Sequence, residues 1–104
     1  MWIFLDDAFL SVVAHTERPD DLLVRARVSG DIERAFPGVD VLTTPDADYR
    51  YRAVVPRAEV GRVLARRAES VDYPNFKSSI DADERERSAA CHQVWSVMRR
   101  LQPV

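Results

Sequence analysis

The chain holds one cysteine, three glycines, two histidines and a single lysine. With Cys91 alone, no intrachain disulfide can form, which fits a reducing, cytoplasmic compartment. Three glycines leave no P-loop and no dinucleotide-binding glycine motif, so phosphate cradling by a glycine-rich loop is excluded. No Cys/His grouping has zinc spacing. The acidic pairs Asp6-Asp7, Asp20-Asp21, Asp46/Asp48 and Asp81/Asp83 fall at turns and helix starts, where Asp bonds its own backbone. They lack the following Gly and bidentate Glu of a calcium loop. No metal or cofactor is expected. No apolar run approaches the roughly 20 residues that span a bilayer. Met1-Trp2-Ile3-Phe4-Leu5 is apolar only as far as Asp6 and has no basic flank, so neither a signal peptide nor a membrane partner is expected.

What is present suits a single domain over residues 1–104. Hydrophobic residues make up 46% of the 104, enough for one modest core. The formal net charge of -2 gives no general attraction to nucleic acid, so affinity for an anion must come from a local patch. Fourteen of the fifteen cationic side chains are Arg, Lys77 being the exception. Arg is the better bidentate partner for carboxylate and phosphate, but these residues are spread along the whole chain.

Residues 2–5 and 9–15 read as strands joined by a turn at Asp6-Asp7-Ala8. After the turn at Pro19-Asp20-Asp21, a third strand covers 22–28. A short helix starts at Ser29-Gly30-Asp31 and ends at Pro37-Gly38. A fourth strand covers 39–43 and a fifth 49–55. Pro56 suits the first turn of the next helix, whose stripe is Val60, Val63, Leu64, Ala68 and Val71. Gly61 inside that helix points to close packing. Residues 72–79 read as a loop. Asp81 followed by Glu84 resembles a capping box for a last helix over 82–101, with Ala90, Val94, Val97, Met98 and Leu101 as its stripe. Acids gather at its start and Arg99-Arg100 at its end, which complements the helix dipole. The expected fold is α+β: an antiparallel sheet of about five strands, with two long helices and one short helix packed on one face.

Alternation places Arg25 and Arg27 opposite Val24, Ala26 and Val28, and places Arg50 and Arg52 opposite Tyr51, Ala53 and Val55. If the two strands are neighbours, four guanidinium groups share the sheet's uncovered face. Like charges directly opposed destabilise a strand pair, so acids such as Asp40 or Asp48, or an anionic ligand, must offset them. Tyr49 adds an aromatic at the strand's start, as on basic and aromatic sheet faces that bind single-stranded nucleic acid. The alternative is a solvated face laced with ion pairs.

The loop aromatics Tyr73 and Phe76 either fold inward and pin the loop or form a partner surface with Trp95. Cys91 and His92 are adjacent on a helix and diverge by about 100°, so they are no nucleophile–base pair. Cys91 reads as a small core residue.

Met1-Trp2-Ile3-Phe4, Val24-Arg25-Ala26-Arg27 with Gly30-Asp31-Ile32-Glu33-Arg34, Asp46-Ala47-Asp48-Tyr49-Arg50-Tyr51-Arg52, Asp72-Tyr73-Pro74-Asn75-Phe76-Lys77 and Val94-Trp95-Ser96-Val97-Met98 together resemble a group of small uncharacterised bacterial proteins of about this length. The resemblance covers most of the chain. It implies a bacterial, intracellular origin and assigns no catalytic or binding residue.

The leading expectation is a non-catalytic binding or regulatory module. Arg25, Arg27, Arg50, Arg52 and Tyr49 would receive an anionic partner, an acidic protein surface or nucleic acid. The second expectation is a structural or interaction domain, a homodimer, using Tyr73, Phe76 and Trp95. The third is an enzyme without a recognisable motif, using His15 or the turn acids in a cleft.

Overall fold

The computed structural model describes residues 1–103. It has an α+β fold with one five-stranded, fully antiparallel sheet and four α-helices. Strands are β1 (Trp2–Leu5), β2 (Ala8–Ala14), β3 (Asp21–Ala26), β4 (Leu42–Thr43) and β5 (Tyr51–Pro56). Helices are α1 (Asp31–Ala35), α2 (Arg57–Glu69), α3 (Phe76–Ser79) and α4 (Arg85–Met98), with a 3₁₀ turn at Arg99–Leu101. The chain divides into two compact units, Met1–Val71 and the segment from Asp72 onward.

In the first unit the strand order is β1-β2-β3-β5-β4. Short connections give the hairpins β1–β2 and β2–β3. The step from β3 to its neighbour β5 passes through α1 and β4. Period-two alternation decides which face is buried. Leu10, Val12, Val24, Ala26, Ala53 and Val55 point to one side and are nearly inaccessible. Ile32 and Ala35 from α1, Phe36 at its C-terminal cap, and Val60 and Val63 from α2 close over them. Full burial of each Val, Leu or Ile contributes about 1.5–3 kcal/mol relative to exposure, so this face dominates the unit's stability.

A polar network ties the helices to the sheet. The Asp31 carboxylate is fully buried, accepts the Phe9 N–H at 3.0 Å and pairs with Arg34 at 2.8 Å. Arg34 also donates to the Asp7 carbonyl, and Arg67 of α2 grips the Asp7 carboxylate with two bonds of 3.0 and 3.3 Å. Asp6-Asp7 is a two-residue hairpin loop without the positive φ that the favoured primed turns require. These two arginines hold it from outside.

Several boundaries differ from the sequence reading. The fourth strand shrinks from 39–43 to Leu42–Thr43, and the fifth begins at Tyr51 instead of residue 49. Pro56 ends β5 and caps α2 instead of entering it, so strand runs into helix without a loop. Gly61 is exposed, with nothing within 4 Å of where a Cβ would stand; the expected close packing is absent.

In the second unit, the expected loop contains α3, whose first turn is capped by Asn75 Oδ1 accepting from the Ser78 N–H at 3.2 Å. The capping box is not formed. Asp81 Oδ1 accepts instead from the Asp83 N–H at 2.9 Å, which closes a turn, and α4 begins only at Arg85. No residue of α4 is buried.

Candidate anion-binding face

The second face of the sheet follows from the same alternation. Across the strands, one row reads Trp2, Ser11, Arg25, Arg52 and Leu42, each residue directly opposite the next. A second row reads Val13, Leu23 and Val54. Phe4 faces Phe9, their ring centroids 4.7 Å apart, and Trp2 meets the edge of Phe9 at 6.0 Å. The face is cationic at β3 and β5 and aromatic toward β1.

Three of the four arginines converge with Tyr49. The Arg25 and Arg27 guanidinium carbons lie 4.5 and 4.1 Å from the Tyr49 ring centroid. Such contacts are worth about 0.5–1 kcal/mol when exposed and more when desolvated. Arg25 Nη2 donates to Ser11 Oγ at 2.8 Å, while its Nε–H is buried without a partner. Arg52 Nε donates to the Tyr49 carbonyl at 3.3 Å. Tyr49 itself is 5% exposed, so its ring supports the guanidinium groups and offers no free stacking surface.

One carboxylate enters this cluster. Arg27 donates to Asp48 Oδ1 at 2.9 Å and to its carbonyl at 2.8 Å. That hydrogen bond, then the Arg27 charge, holds the Asp48 carboxyl below its usual range, and Arg25 and Arg52 add smaller pulls the same way. The Arg27 guanidinium is correspondingly harder to deprotonate, chiefly through its bond to Asp48. Among the described residues, neither Arg25 nor Arg52 forms an ion pair.

Arg50 stands apart. It precedes the paired part of β5, is exposed, and its carbonyl accepts from the N–H and hydroxyl of Thr44. Asp40 is exposed and, among the described residues, makes no ion pair.

The other sequence candidates lie elsewhere. Tyr73 and Phe76 are half-buried and meet edge to face at 6.1 Å. Trp95 is 46% exposed, with Lys77 Nζ 3.6 Å and Arg99 Cζ 5.3 Å from its ring centroid. His15 Nδ1 accepts the backbone N–H groups of Glu17 and Arg18, so the ring organises a turn. Cys91 is half-buried, and burial pushes its thiol pKa up, away from reactivity. The His92 ring bonds the Ser88 carbonyl one turn back on α4.

Sequence reasoning overlooked Ser11 and the aromatics Trp2, Phe4 and Phe9. Their signal was the alternation of Trp2 and Phe4 against Ile3 and Leu5, and of Phe9, Ser11 and Val13 against Leu10 and Val12. No family model matches the chain, and no curated protein or solved structure matches it.

Proposed function

We propose that the chain is a non-catalytic binding module that receives an anionic group of a partner against Arg25 and Arg52. The observation that carries this reading is the direct cross-strand opposition of these two arginines without an ion pair to either, beside an Asp48 already engaged by Arg27. Opposed like charges weaken a strand pair. A carboxylate or phosphate seated between them turns that repulsion into attraction, and the planar guanidinium fork suits both. Each charge-assisted hydrogen bond contributes about 1.5–3 kcal/mol. Trp2, 68% exposed in the same row, adds an apolar platform beside the charge. The partner is an acidic protein segment or a nucleic acid, and one experiment separates them.

Fluorescein-labelled oligoglutamate and oligothymidylate are titrated separately with the protein and followed by anisotropy. One probe binds, and its affinity falls as salt rises. The Arg25→Ala/Arg52→Ala variant weakens that binding by about tenfold or more, since at least one charge-assisted bond is lost, and retains a cooperative melt. Equal affinity of variant and wild type, or no binding of either probe, overturns the reading.

A further inference from the structure

We infer that α4 pairs with α4 of a second copy of the chain, in antiparallel orientation. This rests on a surface separate from the arginine face. At about 100° per residue, Ala90, Val94, Val97 and Met98 fall within roughly 100° of arc on α4, and Leu101 follows in the 3₁₀ turn. The stripe is open: Val94 is 37%, Val97 54%, Met98 55% and Leu101 75% exposed. A contiguous apolar strip of this kind on a helix marks an interaction surface.

Charge and size along the helix select the occupant and its direction. The start of α4 carries Glu86 behind Asp81, Asp83 and Glu84, whereas the 3₁₀ turn that follows its end carries Arg99 and Arg100. Glu84 pairs with Arg87 inside the unit. Glu86 and Arg100 are exposed and, among the described residues, neither forms an ion pair. They stand fourteen residues apart, two heptads, on one flank of the apolar stripe. In an antiparallel pair centred near Gln93, Glu86 of each copy meets Arg100 of the other, twice by symmetry. The same register brings small Ala90 of each copy next to Val94 of the other, so side chains of unlike size meet. A parallel pair would place Glu86 beside Glu86 and Arg100 beside Arg100, and like charges at such positions repel.

Sedimentation velocity over a wide concentration range tests this. The wild-type chain shifts from monomer to dimer as concentration rises. Glu86→Arg and Arg100→Glu each weaken the dimer by about tenfold, as two attractions become two repulsions. The double variant Glu86→Arg/Arg100→Glu recovers wild-type association, which only antiparallel pairing allows. Val97→Asp abolishes the dimer, and Arg25→Ala/Arg52→Ala leaves it unchanged. The positions changed on α4 and the 3₁₀ turn after it are exposed, and circular dichroism confirms that each variant is folded. A wild-type chain that stays monomeric at every concentration overturns the inference. So does a dimer that ignores Val97→Asp, or a double variant that fails to recover association.

Discussion

Arg25 and Arg52 are partners in register across the β3–β5 pair, with Ser11 and the Tyr49 carbonyl as their hydrogen-bond acceptors. Two cations held opposite one another cost stability that an acid at either position would return. Arg52→Glu is therefore expected to stabilise the fold by roughly 0.2–1 kcal/mol through a cross-strand ion pair. The same change should abolish binding of anionic probes. Thermal melts and anisotropy titrations on one preparation check both halves. A variant that melts lower while still binding would show that Arg52 serves the scaffold and not the ligand.

Asp31 carries a polar contact that is costly to break. Its carboxylate is fully buried and holds the Phe9 N–H together with the Arg34 guanidinium. Asp31→Ala leaves the Phe9 donor unsatisfied and costs about 1–3 kcal/mol. Asp31→Asn keeps an acceptor for that donor and loses less. Urea denaturation of the two variants should rank them in that order, with the slope unchanged if both unfold in two states.

The alternation in Leu22–Ala26 and Tyr51–Val55 was enough to assign the buried and polar faces of β3 and β5, because burial on one face imposes period two. That these strands are neighbours was not legible, since the intervening α1 and β4 return the chain by tertiary packing alone. Arg50 shows the limit of the pattern. Alternation groups it with Arg52, yet the ladder begins at Tyr51 and Arg50 lies outside it. Tyr49 read as an open aromatic, but the two guanidinium groups over it come from a strand distant in sequence. The Asp7–Arg67 pair spans sixty residues and has no local signature at all. By contrast, the cap of α3 is written in Asn75 and its short polar run, but four residues of helix carry no periodicity to mark it.

Gly61 offers a clean backbone test. It lies in the interior of α2 with no neighbour within 4 Å of its missing Cβ. Gly61→Ala therefore removes backbone freedom from the unfolded chain without a clash. Stability should rise by about 1 kcal/mol, seen as a higher melting temperature at unchanged anion affinity. A destabilised Gly61→Ala variant would mean that this face of α2 packs against something in solution.

Asp48 sets the acid response of the arginine cluster. Its folded-state pKa is lowered, first by the hydrogen bond from Arg27 and then by the Arg27 charge. A lowered carboxylate pKa means that the folded state favours the ionised form. The contribution is therefore fully present above the unfolded carboxylate's pKa and lost as pH falls through the lower folded value. Because Asp48 is exposed, the effect is modest and screened by salt. NMR titration should give Asp48 a midpoint below that of an ordinary aspartate at low ionic strength. In Arg27→Ala the midpoint should move up toward the ordinary value, leaving only the weaker pulls of Arg25 and Arg52. Protonating Asp48 also removes an acid that competes for the cluster, so a phosphate-bearing probe still charged at that pH should bind more tightly as Asp48 titrates. An affinity flat across the Asp48 midpoint would separate Arg27 and Asp48 from the anion site.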